Sequence, residues 1–87
     1  MDKEKLISEI DKAIEWMEDE KKNNKNQLKG MINLFARTKE KIIKNELLRN
    51  EIRGSARMYV EMYSDYMNPM LNYLDYVEKN IDEFLKK

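Results

Sequence analysis

The chain has 87 residues, no Cys, no His, and equal numbers of acidic and basic side chains, so its formal net charge is zero. Those absences exclude a disulfide or a thiolate metal site within the chain, and they remove the side chain most used for proton transfer near neutral pH. No apolar run approaches the ~18–20 residues of a membrane span. The charged opening Asp2-Lys3-Glu4-Lys5 is unlike a signal peptide, so no membrane contact and a cytoplasmic location are the expectations.

The zero conceals an order. Residues 1–20 carry 3 Lys against 8 Asp/Glu, residues 21–57 carry 11 Lys/Arg against 3 acids, and residues 58–87 carry 3 Lys against 6 acids. An antiparallel helical fold sets the basic middle against both acidic ends, which favours one topology over its alternatives. Charged residues are 39% of the chain, with two Gly and one Pro, a composition that suits helices and disfavours sheets. A chain this short buries only roughly 60% of its unfolded surface. With disulfides and metals set aside, a partner subunit is the remaining external support.

Leu6, Ile7, Ile10, Ala13, Ile14 and Met17 recur at three- and four-residue steps and predict a first helix over about residues 2–22. Trp16, the only Trp, falls at the edge of this stripe, either covering the rim of the core or anchoring an interface. Lys22-Asn23-Asn24-Lys25-Asn26 has no apolar residue and reads as a turn, with Asn suited to a left-handed cap. Leu28, Met31, Ile32, Phe35, Ala36 and Ile43 form the next stripe, in a second helix over about 26–53. Two endings compete. Arg49 and Arg53 before Gly54-Ser55 read as a stop and restart. Leu47, Leu48 and Ile52, out of phase with the stripe, favour a break near Asn45 with Gly54 inside a helix at a close crossing. A third helix over about 56–67 precedes Asn68-Pro69, where Asn suits an N-cap and Pro the first helical position. Pro69 either opens a fourth helix, about 69–86, or kinks the third. Leu71, Leu74, Val77, Ile81 and Phe84/Leu85 form the last stripe. The expected fold is all-α, a small antiparallel bundle of three to four helices in one domain.

The chemistry-bearing patterns are sparse. Ser8, Ser55, Ser64 and Thr38 have no His or Cys to activate them, so no catalytic residue is assigned and no enzyme is expected. Glu15, Glu18, Asp19 and Glu20 read as a solvated acidic face, and neither a metal nor a cofactor is expected. Lys29, Arg37, Lys41 and Lys44 share one face of the second helix with Asn26 and Asn33, a pattern able to contact phosphates. All five Tyr and four of seven Met crowd into residues 58–76. Tyr59, Tyr63, Tyr66 and Met70 make one stripe, and Met58, Met62 and Tyr76 another, which is more than one core face needs. Met67 and Tyr73 complete the group. Tyr and Met both suit protein interfaces. The expected function is therefore a non-enzymatic interaction protein (a regulator, adaptor, immunity protein or phage-encoded inhibitor) that binds another protein or itself through Met58, Tyr59, Met62, Tyr63, Tyr66, Met67, Tyr73 and Tyr76. The alternative is a nucleic-acid-associated protein using Lys29, Arg37, Lys41 and Lys44.

Overall fold

A computed structural model describes residues 2–86 and holds four helices: α1 (Lys3–Lys21), α2 (Leu28–Ile43), α3 (Ser55–Tyr63) and α4 (Met70–Leu85). The all-α antiparallel bundle is as expected. Asp2 caps α1, its side chain accepting from the Glu4 amide. The turn after α1 contains Asn24 at φ 66°, the left-handed position for which Asn is suited. At the other end of the chain, Asn68 Oδ1 accepts from the Met70 amide at 2.9 Å and Pro69 occupies the first turn, so Pro69 opens α4 and does not kink α3.

One core joins the helices. Leu6, Ile10, Ala13 and Met17 of α1 meet Leu28, Met31, Ile32, Phe35 and Ile42 of α2, Tyr59 of α3, and Met70, Leu74, Val77 and Ile81 of α4. In α2 the expected stripe drifts. Ala36 and Ile43 are exposed, and Thr38 and Ile42 are buried in their place. The inward positions run 35, 38, 42, and the Thr38 hydroxyl is satisfied by donating to the Leu34 carbonyl.

The second helix ends ten residues before the expected boundary, at Ile43. Asn45 takes φ 59° and the Glu46 amide reaches back to the Lys41 carbonyl, so the chain turns out of the helix there. Gly54 marks a second boundary. It takes φ 80° immediately before α3, and no atom outside its own surroundings lies within 4 Å of where a Cβ would stand. It is neither helical nor at a close crossing. Residues 44–54 form a linker pinned by side chains. Lys3 Nζ donates to the Ile43 carbonyl and to Asn45 Oδ1, Lys41 pairs with Glu51, and Asn50 Nδ2 donates to the Glu78 carbonyl and Asp82 Oδ1. Arg53 pairs with Asp82 at 2.9 Å, and the Gly54 amide donates to Glu78. The third helix also stops early, because Ser64 takes φ 53° as its C-cap and sends its amide to the Val60 carbonyl.

Pairs between the charge blocks follow the antiparallel order: Lys39 with Asp11, Lys25 with both Glu20 and Asp65, and Arg53 with Asp82. Close helix packing joins α1 to α2, α1 to α4, and α3 to α4. Helical spacing sets the flanks. On α1, Asp11 faces α2 while Glu9 and Trp16 face α4. On α4, Tyr73 and Tyr76 turn to α1, whereas Glu78 and Asp82 turn to the base of α3. The ring order is therefore α2, α1, α4, α3, with the α2–α3 seam left loose.

The two glycines separate conformational need from space. Gly54→Ala forces a non-Gly residue into the left-handed region and is expected to cost about 1–2 kcal/mol. Gly30→Ala, in an exposed stretch of α2 with open space around it, is expected to gain roughly 0.5–1 kcal/mol. Urea unfolding midpoints of the two variants check the opposite signs.

Candidate functional site

At the end of the bundle where α1 meets α2, five polar side chains converge. Lys25 lies in the short turn, 20% exposed, and its three ammonium protons meet three acceptors: Tyr59 Oη at 2.6 Å, Glu20 Oε1 at 2.9 Å and Asp65 Oδ2 at 3.2 Å. Tyr59 donates to Asp65 Oδ2 at 2.7 Å. Asn68 Nδ2 donates to Glu20 at 2.6 Å and to Asp65 at 3.0 Å. The ammonium also lies 5.2 and 5.6 Å from the ring centres of Tyr59 and Tyr63, in cation–π range. The five members come from four places: Glu20 from α1, Lys25 from the first turn, Tyr59 from α3, and Asp65 and Asn68 from the loop before α4.

The charges are held as charges. The Lys25 contact, then Asn68 and Tyr59, draws the Glu20 carboxyl below its ordinary value against the opposing effect of burial. Asn68, Tyr59 and Lys25 do the same for Asp65. The Tyr59 hydroxyl and the two carboxylates raise Lys25, outweighing its desolvation. Burial pushes Tyr59 up, so it stays a neutral donor. The cluster is a closed set of satisfied bonds with no free nucleophile, and its work is to fix the loop at 64–69.

That loop carries two of the sequence-predicted interface residues into solvent. Tyr66 is 70% exposed and Met67 92% exposed. The eight predicted residues do not form one surface. Tyr59 is fully buried and belongs to the core, which corrects its assignment as a contact residue. Tyr63 is half-buried, its ring 5.2 Å from that of Tyr59. Met58 is exposed and Met62 half-buried, on the flank of α3 that helical spacing and the ring order turn toward α2. Tyr73 and Tyr76 lie across α4, on the α1 side. Tyr76 donates to Glu9 Oε2 at 2.9 Å and Tyr73 to the Glu9 carbonyl at 3.2 Å. Asn80 donates to the other Glu9 oxygen at 2.8 Å, so this buried carboxylate is satisfied by neutral donors.

The basic stripe of α2 is partly committed. Lys41 is bonded to Glu51, whose carboxyl is lowered first by that contact and further by Arg49 and Arg37. Lys44 stands 3.9 Å from Glu40. Lys29 and Arg37 are exposed and make no ion pair among the described residues. Of the acidic group on α1, only Glu20 turns inward, and no three carboxylates among the described residues are placed to hold a metal ion. Two features escaped the sequence reading, Leu48 at 93% exposure on the linker and the cluster around Lys25. Lys25 had one signal, a cation flanked by Asn24 and Asn26 in the turn that follows acidic Glu20.

No family model matches the chain, and no curated protein or solved structure matches it either. None of the described helices is long and apolar enough to cross a membrane.

The two neighbouring tyrosines provide a test. The Tyr63 hydroxyl is buried with no partner among the described residues, whereas that of Tyr59 is fully engaged. Tyr59→Phe is expected to cost about 1–2 kcal/mol and Tyr63→Phe to be neutral or stabilising, read from denaturant midpoints. The depressed carboxyl values set a pH dependence. A carboxylate below its ordinary value when folded contributes stability that is complete above the ordinary range and is lost as pH falls through the depressed value. The melting temperature is therefore expected to hold from about pH 7 to about pH 5 and decline below, with a shallower decline in Glu20→Gln.

Proposed function

We propose that the chain is a non-enzymatic protein–protein interaction protein, a small regulator, adaptor or inhibitor, whose contact surface is centred on Tyr66 and Met67 and extends along Met58 and Met62. The observation that carries this reading is the pinned loop. Two adjacent large apolar side chains stand in water while Asp65 and Asn68, one residue to either side of the pair, are tied down by Lys25, Tyr59 and Glu20. Exposed side chains on a fixed base lose little conformational freedom on binding, which is the cheap way to build an anchor. Met58 and Met62 continue the apolar surface along the loose α2–α3 seam, and Met adapts to a partner's shape. α2 and α3 are not among the closely packed helix pairs of the described residues, and Met62 packs partly against the core.

Nucleic-acid contact through α2 has less support, since two of the four cations in the stripe already face carboxylates. The partner is another protein or a second copy. The test compares wild type with Tyr66→Ser/Met67→Ser, both shown to be folded by circular dichroism. Light scattering first establishes whether the wild type self-associates, and immobilised protein then captures partners from a lysate. The reading expects one association, self or foreign, to weaken by about tenfold or more in the double variant, the scale of losing hot-spot anchors. Equal self-association and equal recovery by both proteins would contradict it.

A further inference from the structure

On the far side of α4 from that surface, α1 and α4 border a shallow open hollow of about 440 Å³ lined by Lys12, Glu15, Trp16, Asp19 and Tyr73. The Trp16 and Tyr73 rings form its wall, with centres 5.9 Å apart and planes at 35°. Tyr76 continues the row, 5.8 Å from Tyr73. These rings are held from beneath, because Tyr73 and Tyr76 both bond to Glu9. Glu15 and Asp19 stand one helical turn apart on the rim. Glu15 makes no ion pair among the described residues, and Asp19 has only an exposed contact with Lys22 at 3.8 Å. Lys12 stands on the same rim, so the lining itself carries two negative charges against one positive, with the Lys22 ammonium outside it beside Asp19.

We propose that this hollow receives an arginine side chain of a partner protein. Charge complementarity selects a cation, and the aromatic wall selects its kind. A guanidinium is planar and weakly hydrated, stacks on an aromatic face, and still offers in-plane N–H donors to carboxylates at the rim. A lysine ammonium is a strongly hydrated point charge that cannot lie flat on the rings. A quaternary ammonium has no donor for Glu15 or Asp19, and it favours a cage closed by aromatic groups on several sides, which two rings on one wall do not make. Lys12 shares the rim but does not stack on these rings, since the only cation–π contacts among the described residues are those of Lys25 over Tyr59 and Tyr63.

Trp16, the sole Trp in the chain, reports occupancy directly. The blocked peptide Gly-Arg-Gly-Arg-Gly is titrated into the full chain while Trp fluorescence is followed, with Gly-Lys-Gly-Lys-Gly as the matched probe. The expected result is a saturable change with the arginine peptide and binding weaker by about tenfold or more for the lysine peptide, the scale of one charge-assisted hydrogen bond plus stacking. Glu15→Gln/Asp19→Asn, at two exposed positions that leave the core untouched, is expected to weaken the arginine peptide by a similar factor. Tyr73→Leu removes half of the aromatic wall and should erase the preference for arginine over lysine. No saturable change, equal response to both peptides, or undiminished binding by the acidic-rim variant would overturn the proposal. The Tyr66→Ser/Met67→Ser variant should bind the peptide as wild type does, so this site and the loop surface stand or fall separately.

Discussion

A single ammonium group holds the least supported part of this fold in place. The third helix has nine residues, too short to be stable alone, and its close helix packing is with α4 only. Its first turn is tied to α4 through Gly54 and Glu78 and through the neighbouring bonds of Asn50 and Arg53 to Asp82. Its middle is anchored by Tyr59, whose hydroxyl accepts from Lys25. The ring is buried among α1, α2 and α4 residues while its hydroxyl stands among two carboxylates and an amide. Without a cation there, Glu20 and Asp65 would repel one another at the place where the α3–α4 loop must lie against α1. With Lys25 present, each of its three protons has an acceptor and both carboxylates are kept ionised. The exposed pair Tyr66–Met67 and the cap of α4 at Asn68 both inherit their positions from this arrangement.

The sorting of charge along the chain is what supplies that cation. Lys25 comes from the basic middle, Glu20 from the acidic start and Asp65 from the acidic end. The pairs Lys39–Asp11 and Arg53–Asp82 repeat the relation farther along the bundle. Exposed pairs of this sort contribute little each. They join the basic middle to both acidic ends, although the acidic helices α1 and α4 also pack on one another, so charge sorting favours this order only in part.

Much of the architecture was readable from residue spacing. The stripe of α1 and the inward positions of α4 are strong periodic signals, and Asn24 and Asn68-Pro69 punctuate the chain as their chemistry dictates. Elsewhere local signals competed. Asn45 and Gly54 both take positive φ, so each breaks the chain, and the linker between them is held by bonds to α1 and α4 that no local pattern encodes. The 4-3-4-3-4 spacing of Ile52, Ala56, Tyr59, Tyr63, Tyr66 and Met70 suggests one continuous helix. Ser64 ends it in the left-handed region, immediately before Asp65, which is tied to Lys25 and Tyr59 by bonds that no local pattern encodes. The same break decides the site. Within a continuous helix Tyr59 and Tyr66 share a face, whereas in the fold one is core and the other faces water. The crowding of Tyr and Met was therefore informative about surplus apolar surface, and uninformative about its division by α4 into two separate flanks.

Both candidate surfaces present rigid aromatic or apolar groups on elements fixed by buried hydrogen bonds, one through Lys25 and the other through Glu9. A chain this small can hold a few side chains still in this way, and the proposed binding role draws on that. The dependence on Lys25 is tested most directly by amide hydrogen exchange on wild type and Lys25→Met. In the variant, amides of α3 and of Ser64 are expected to exchange faster by about tenfold or more, the consequence of losing a charged hydrogen bond at a locally opening segment, while those of the α1 and α4 cores change little. Unchanged exchange in α3, or a uniform acceleration throughout the molecule, would contradict that dependence.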